Sequence, residues 1–432
     1  MEERMMISRW DAYRDSDAFA ARVATLYGAG EDVLQAQKAR YGKLVERFEA
    51  RFGAPEGELF FFSAPGRTEI GGNHTDHNNG RVLAAAVNLD TVAFVQKTDD
   101  GMMVVDSEGF PPITVDTANL AVNEEDFGTT LALIRGTAGI MREMGYAVGG
   151  FRATVSSSVL RGSGLSSSAA FEVLIAAILD GLYNGFVVDA KQRAVIAQKV
   201  ENVYFGKPCG LMDQMASSVG GMVTIDFAAQ EAQVEAIACD FAAKGYALCV
   251  VNTGGNHGDL TDDYAAIRVE MEAVANQFGR RVLRDVPQQQ VEENIGRLRG
   301  AVGERAILRA LHFYDDNERV LEQVAAIREG NLPAFFDAVN RSGDSSWKLL
   351  QNVYARPTEE QMALAIEMSR RFLKGEGAQR VHGGGFAGTI QAYVPLDRLQ
   401  DYVRTMEAAF GRGCCTPLMI RPEGAVMMPV GA

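Results

Sequence analysis

The chain has 432 residues, 47% of them hydrophobic and 23% charged, with a formal net charge of −14. That length supports two domains with substantial cores, and that composition is ordinary for a soluble globular enzyme. The acidic balance argues against nucleic acid or an anionic membrane as a partner, so an anionic ligand must be held by local groups.

No uninterrupted apolar run reaches the roughly 18 residues of a membrane span, and MEERMMISRWDAYRDSD carries no apolar signal core. Five cysteines, with Cys414 and Cys415 adjacent and none at zinc-ligand spacing, read as reduced thiols. The expectation is a cytoplasmic protein, with a monomer plausible.

In chain order, residues 1–53 place apolar side chains at helical spacing (Val33, Leu34, Ala39, Leu44, Phe48) and predict helices packed on the body. LFFFSA and VLAAAVNLDTVAFV predict strands on either side of a polar loop, and GMMVVDS and PITVD two more. A helix over 129–144 leads into the strand GFRATVSSS, and helices follow near 169–183 and 189–205. GGMVTIDF and YALCVVNT are strand-like, 262–370 is mostly helical in pattern, and GTIQAYVP, a helix near 396–410 and a strand near 416–421 complete the chain. Strands and helices without regular βαβ alternation fit an α+β fold.

Three segments concentrate chemistry. RGSGLSSSAA, from Arg161 to Ala170, runs straight into the apolar stretch FEVLIAAILDGLY. Small residues let several N–H groups converge, and a helix N-terminus adds unpaired donors and positive dipole, which together suit a phosphate. The lysine-ended phosphate loop GxxxxGK[ST] is absent from the chain. APGRTEIGGNHTDHNNGRVL packs Arg67, Glu69, Asn73, His74, Asp76 and His77 between glycines after an apolar run. Binding groups tend to sit on such loops. VHGGGFAGTIQAYV has three consecutive glycines before a strand, which permits close backbone approach. Each segment alone also reads as an ordinary turn or cap.

In this order and at this spacing the three segments resemble the signature motifs of the GHMP small-molecule kinases. With a fourth stretch, VENVYFGKPCGLMDQMASSVGG, the resemblance is strongest to the galactokinase branch. It covers the chain from about Phe60 to about Val394. It implies two domains, divided near residue 245 into 1–245 and 246–432, with the active site in the cleft between them. It also implies ATP, Mg2+ and a small sugar as ligands, with transfer of the γ-phosphate to an anomeric hydroxyl.

Carried over residue by residue, the resemblance makes Asp213 the acceptor of the sugar hydroxyl proton and Arg67 the cation facing it. Gly162, Ser163, Gly164, Leu165, Ser166, Ser167, Ser168 and Ala169 become the triphosphate cradle. Ser168 and Glu201 become magnesium ligands, as hard oxygen donors should. Asn73, His74, Asp76, Gly210, Asp213 and Tyr264, seven residues after His257, become sugar contacts. Gly383–Gly385 and Phe386 become a motif that closes over the site and supports the phosphate loop.

The first motif departs from the family pattern GRxNLIGEHTDYNGG. Here Glu69 stands for asparagine, Asn73 for glutamate and His77 for tyrosine. Position 73 is expected to read the sugar's C6 substituent, and an amide there would not repel a C6 carboxylate. Galactose, galacturonate and N-acetylgalactosamine therefore all stand as substrates at this stage. A sugar- and ATP-responsive regulator without turnover is the non-enzyme alternative, and a mevalonate or homoserine kinase the other enzyme one. The presence of both Arg67 and Asp213 favours turnover, and the HTDH and CGLMDQ segments favour the sugar branch.

Overall fold

The computed structural model describes residues 10–430 apart from 56, 160–163, 208, 256–259 and 387. Twelve strands fall among them: β1 Leu59–Gly71, β2 Arg81–Lys97, β3 Met102–Ser107, β4 Ile113–Asp116, β5 Phe151–Ser157, β6 Met222–Asp226, β7 Gln233–Ile237, β8 Tyr246–Asn252, β9 Ala378–Val381, β10 Thr389–Pro395, β11 Cys415–Leu418 and β12 Val426–Pro429. They form an eight-stranded sheet, ordered β12-β1-β2-β5-β3-β4 with β6 and β7 continuing from β2, and a four-stranded sheet ordered β11-β8-β10-β9. The fold is α+β, as the sequence leads one to expect.

The boundary expected at residue 245 falls between β7 and β8. The chain crosses back once: β12, read from the sequence as part of the second unit, pairs with β1 in the first sheet. β7, β9 and β12 were not expected. Each is four or five residues long, too short to show a decisive alternation.

The continuous apolar runs of β1 and β2 are explained by burial on both faces. Phe62, Ala93 and Val95 face a core with Ile134, Leu174 and Ile178 of the helices Thr130–Glu143 and Ser167–Asn184. Their alternating neighbours Phe61, Val92 and Phe94 pack against Phe19, Tyr41 and Phe48 of the helices Asp17–Tyr27 and Glu31–Phe52. A third core, with Ile70, Leu83, Val250, Phe335 and Tyr393, joins the two sheets.

The N-terminal helices are also tied on by charge. Asp90 of β2 is fully buried and pairs with Arg40 at 2.6 Å and Arg421 at 3.1 Å, while Tyr27 Oη donates to it at 2.6 Å. Burial by itself would raise the Asp90 pKa. The guanidiniums of Arg40 and Arg421 outweigh burial and hold it below the usual aspartate value. All five cysteines are free thiols, and among the described residues no helix is long and apolar enough to cross a membrane.

Candidate active site

β1 loses register with β2 between Pro65 and Arg67 and again between Glu69 and Gly71. Such bulges bend a strand and re-aim its side chains. Here they turn Arg67 toward the start of the helix Ser167–Asn184. Its Nε donates to Asp213 Oδ1 at 2.6 Å, its Nη1 donates to the Gly164 carbonyl, and its backbone N–H donates to Leu165 O at 3.1 Å. One guanidinium thus joins the carboxylate at the start of the helix Met212–Val219 to the loop that precedes Ser167.

Asp213 keeps 32% of its side chain exposed, enough to meet a ligand. Desolvation pushes its pKa up, but Arg67 and a hydrogen bond donated by Ser166 Oγ prevail and hold it below the usual value. It is therefore ionised at neutral pH and able to accept a proton. Ser166 makes this bond from a left-handed backbone conformation (φ 56), rare for a residue other than glycine. Its hydroxyl is committed to Asp213, a role the sequence did not reveal.

Of the remaining cradle, Gly164 and Leu165 lead into Ser167, Ser168 and Ala169 in the first turn of the helix. Gly162 and Ser163, like His257, lie outside the described residues.

Ser168 Oγ donates to Glu201 Oε1 at 3.2 Å. Glu201 is 3% exposed, and Gln214 Nε2 donates to its other oxygen at 3.1 Å and to Glu172 Oε2 at 3.5 Å. Glu172 lies one helical turn beyond Ser168 and is wholly buried, with Oε1 unpartnered among the described residues. Burial and the neighbouring Glu201 push its pKa well above normal. An all-oxygen donor pair, the Ser168 hydroxyl and the Glu201 carboxylate, beside a helix N-terminus suited to phosphate, fits Mg2+. The described residues hold no group of three or more His, Cys, Asp or Glu placed to bind a metal. Ser168 and Glu201 would supply two oxygens, leaving the other positions to phosphate and water. Glu172 and Gln214 were missed because a buried glutamate and the residue after the aspartate carry no signal in a single sequence.

Three sugar-side candidates, Asn73, His74 and Tyr264, gather around the glycines of the third motif, while Asp76 and Gly210 lie against each other and Asp213 stays with Arg67 and Ser166. His74 Nε2 lies 2.9 Å from the Gly384 carbonyl. Burial and then His77 push the His74 pKa down to about 4, so the ring is neutral. Facing a carbonyl, Nε2 must carry the proton, which makes Nδ1 the acceptor.

Tyr264 Oη donates to Gly385 O at 2.7 Å, and the ring stands edge-on to Phe386 with centroids 5.2 Å apart. Burial pushes its phenol up to about 12, so it stays protonated. Asp76 accepts from the His77 N–H, and its Oδ2 lies against Gly210: a methyl there would meet it at 2.1 Å. We expect Gly210→Ala to raise the sugar KM at least ten-fold while the KM for ATP moves little. Initial-rate kinetics varying each substrate in turn would check this.

Asn73 is where the geometry departs from expectation. It is 0% exposed, and its amide is spent inside the protein. Nδ2 donates to Glu69 Oε1 at 2.9 Å and to Gly383 O at 2.8 Å, while Oδ1 accepts from Asn352 at 2.8 Å and Ser346 at 3.2 Å. An amide with both donors and both lone pairs engaged has nothing left for a C6 substituent. Glu69 likewise faces inward, paired with the fully buried Arg380 at 2.7 Å, and burial pushes its pKa up to about 7 against that cation's pull.

Comparison with known proteins places these residues in context. Residues 46–97 match the family model described as the galactokinase galactose-binding signature, and 132–221 the GHMP kinases N-terminal domain. The galactokinase of Streptomyces coelicolor is 32% identical over 375 residues, covering 85% of this chain and 92% of the relative. That of Mycobacterium bovis is 32% identical over 373 residues, covering 84% and 97%. Among solved structures, Lactococcus lactis galactokinase complexed with galactose superposes with a TM-score of 0.78 at 22% identity, covering 90% of this chain and 99% of that one. Methanococcus jannaschii mevalonate kinase shares the fold more distantly, with a TM-score of 0.59 at 15% identity over 87% and 98% of the two chains.

Proposed function

The chain belongs to the galactokinase family of GHMP kinases, and from that premise we propose that it transfers the γ-phosphate of magnesium-bound ATP to the anomeric hydroxyl of galactose. It is an ATP-dependent sugar kinase. The observation that carries the mechanism is Arg67, bonded at once to Asp213 and to the Gly164 carbonyl of the phosphate loop.

In this reading Asp213 accepts the proton of the anomeric hydroxyl as that oxygen attacks the γ-phosphorus. The bond to the β-bridging oxygen breaks and ADP leaves. Arg67 keeps Asp213 ionised and offsets charge on the transferring group. The loop N–H groups and the helix N-terminus hold the phosphates. Magnesium, held through Ser168 and Glu201, offsets triphosphate charge when bound.

Galactose is preferred over a C6-carboxylated sugar because the argument for the latter rested on Asn73 facing the ligand, and Asn73 is buried. A coupled assay against hexoses, amino sugars and uronic acids, with phosphorus NMR of the product, tests the assignment. The expected result is turnover with galactose to an anomeric phosphate. Turnover only with galacturonate, or only with mevalonate or homoserine, defeats it.

For the metal, we expect Ser168→Ala to raise the apparent KM for MgATP several-fold and to weaken Mn2+ binding read by electron paramagnetic resonance, with the sugar KM unchanged. A change confined to the sugar KM would remove Ser168 from the metal site.

A further inference from the structure

Three successive carbonyls of the third motif are each held by a side chain from elsewhere. Gly383 O accepts from Asn73, Gly384 O from His74 and Asn352, and Gly385 O from Tyr264. His74 and Tyr264 are sugar-side groups. On its other flank the same motif leans on the nucleotide side: a methyl on Gly164 would meet His382 Nδ1 at 3.1 Å, and one on Gly383 would lie 3.6 Å from the Gly164 carbonyl.

Asn73 sits at the crossing. Its side chain joins Glu69 of the first motif, Gly383 of the third and Asn352 of the helical region. Its main chain is pinned from the helix Glu304–Arg328: its N–H donates to Asp316 at 2.8 Å, and His312 Nε2 lies 2.9 Å from its carbonyl. Only an amide does this, since it must donate twice and accept twice. A carboxylate at 73 would face the Gly383 carbonyl and Glu69 with no proton to give.

We propose that Asn73 is a positioning residue, the joint through which sugar and nucleotide reinforce each other's binding. The proposal rests on the sugar-kinase reading above. Sugar contacts at His74 and Tyr264 order the carbonyls of Gly384 and Gly385. The ordered motif presents a fixed face to Gly164 in the phosphate loop. By linkage, nucleotide at that loop must tighten the sugar by the same factor. The coupling needs a shared element that both ligands bias, and the three-glycine segment, anchored at Gly383 by Asn73, is that element.

The test is calorimetric titration of the full chain with the magnesium complex of the β,γ-imido analogue of ATP, with and without saturating galactose. Wild type should bind the analogue about five-fold or more tightly with galactose present. Asn73→Asp keeps the shape and removes both amide donors, and the gain should fall below about two-fold. Asn352→Asp, which turns the donor to Asn73 and Gly384 into an acceptor, is the second variant should the first not fold.

A purely structural role would lower the melting midpoint and leave the gain unchanged. An undiminished gain in either folded variant, or no gain in wild type that binds both ligands, overturns the joint. Wild type that binds the analogue but not galactose overturns the substrate assignment, and the joint with it, and is told apart by the missing sugar isotherm.

Discussion

Asp213→Asn is expected to lower kcat by about two orders of magnitude or more, with the KM values for both substrates changed far less. Asparagine preserves the shape that lies 2.6 Å from Arg67 Nε, so the variant should fold, but it cannot accept a proton. It also leaves the guanidinium without its counter-charge beside the phosphate loop. Steady-state kinetics and a melting curve decide the matter together: a normal melt with near-normal kcat would exclude Asp213 as the proton acceptor.

The pH profile provides a second check. The Asp213 pKa is held below the usual value, so the carboxylate is lost only as pH falls through that depressed value. The acidic limb of kcat/KM that it controls should therefore lie below the ordinary aspartate pKa of about 3.9, and a limb near pH 6 would belong to another group.

The second large effect is on stability. Asp90→Asn should cost about 3–5 kcal/mol of unfolding free energy, because it leaves Arg40 and the fully buried Arg421 without their shared counter-ion. The sign with pH follows from a folded pKa below the unfolded one. The contribution is fully present above the unfolded value of about 3.9 and is lost as pH falls through the folded one. Denaturant titration at pH 7 measures it, and a loss under 1 kcal/mol would mean that the N-terminal helices are held by apolar packing and their other polar contacts, such as Arg47 with Asp106, rather than by the Asp90 cluster. Two-state analysis requires that the two sheets unfold together, which coincident transitions by different probes would establish.

Much of the molecule was legible in one dimension. LFFFSA, VLAAAVNLDTVAFV and YALCVVNT became strands, and the helix expected near 169–183 spans Ser167–Asn184, beginning two residues earlier within the small residues. Hydrophobic periodicity and glycine punctuation are local properties, so a single sequence carries them. The family resemblance of the segments holding Arg67, Ser168, Glu201 and Asp213 nominated the pairs that the fold brings within hydrogen-bond reach.

What the sequence by itself determined is thus most of the elements and the segments that carry the candidate site's polar groups. Only the tertiary structure decided which way those groups face. Asn73 and Glu69 are polar residues in a glycine-rich polar loop, which in one dimension reads as a ligand-binding surface. The fold buries both, because Arg380 from β9 and Asn352 from the helical region arrive to satisfy them. The N-terminal 53 residues showed only helical spacing until Asp90, Arg40 and Arg421 met inside the protein. A buried polar group is tolerable only when its partners are present, and here the partners that close these clusters lie about 280 to 330 residues away in sequence. No local pattern can announce a bond over that separation, which is why burial, pairing and the direction of each side chain had to await the folded chain.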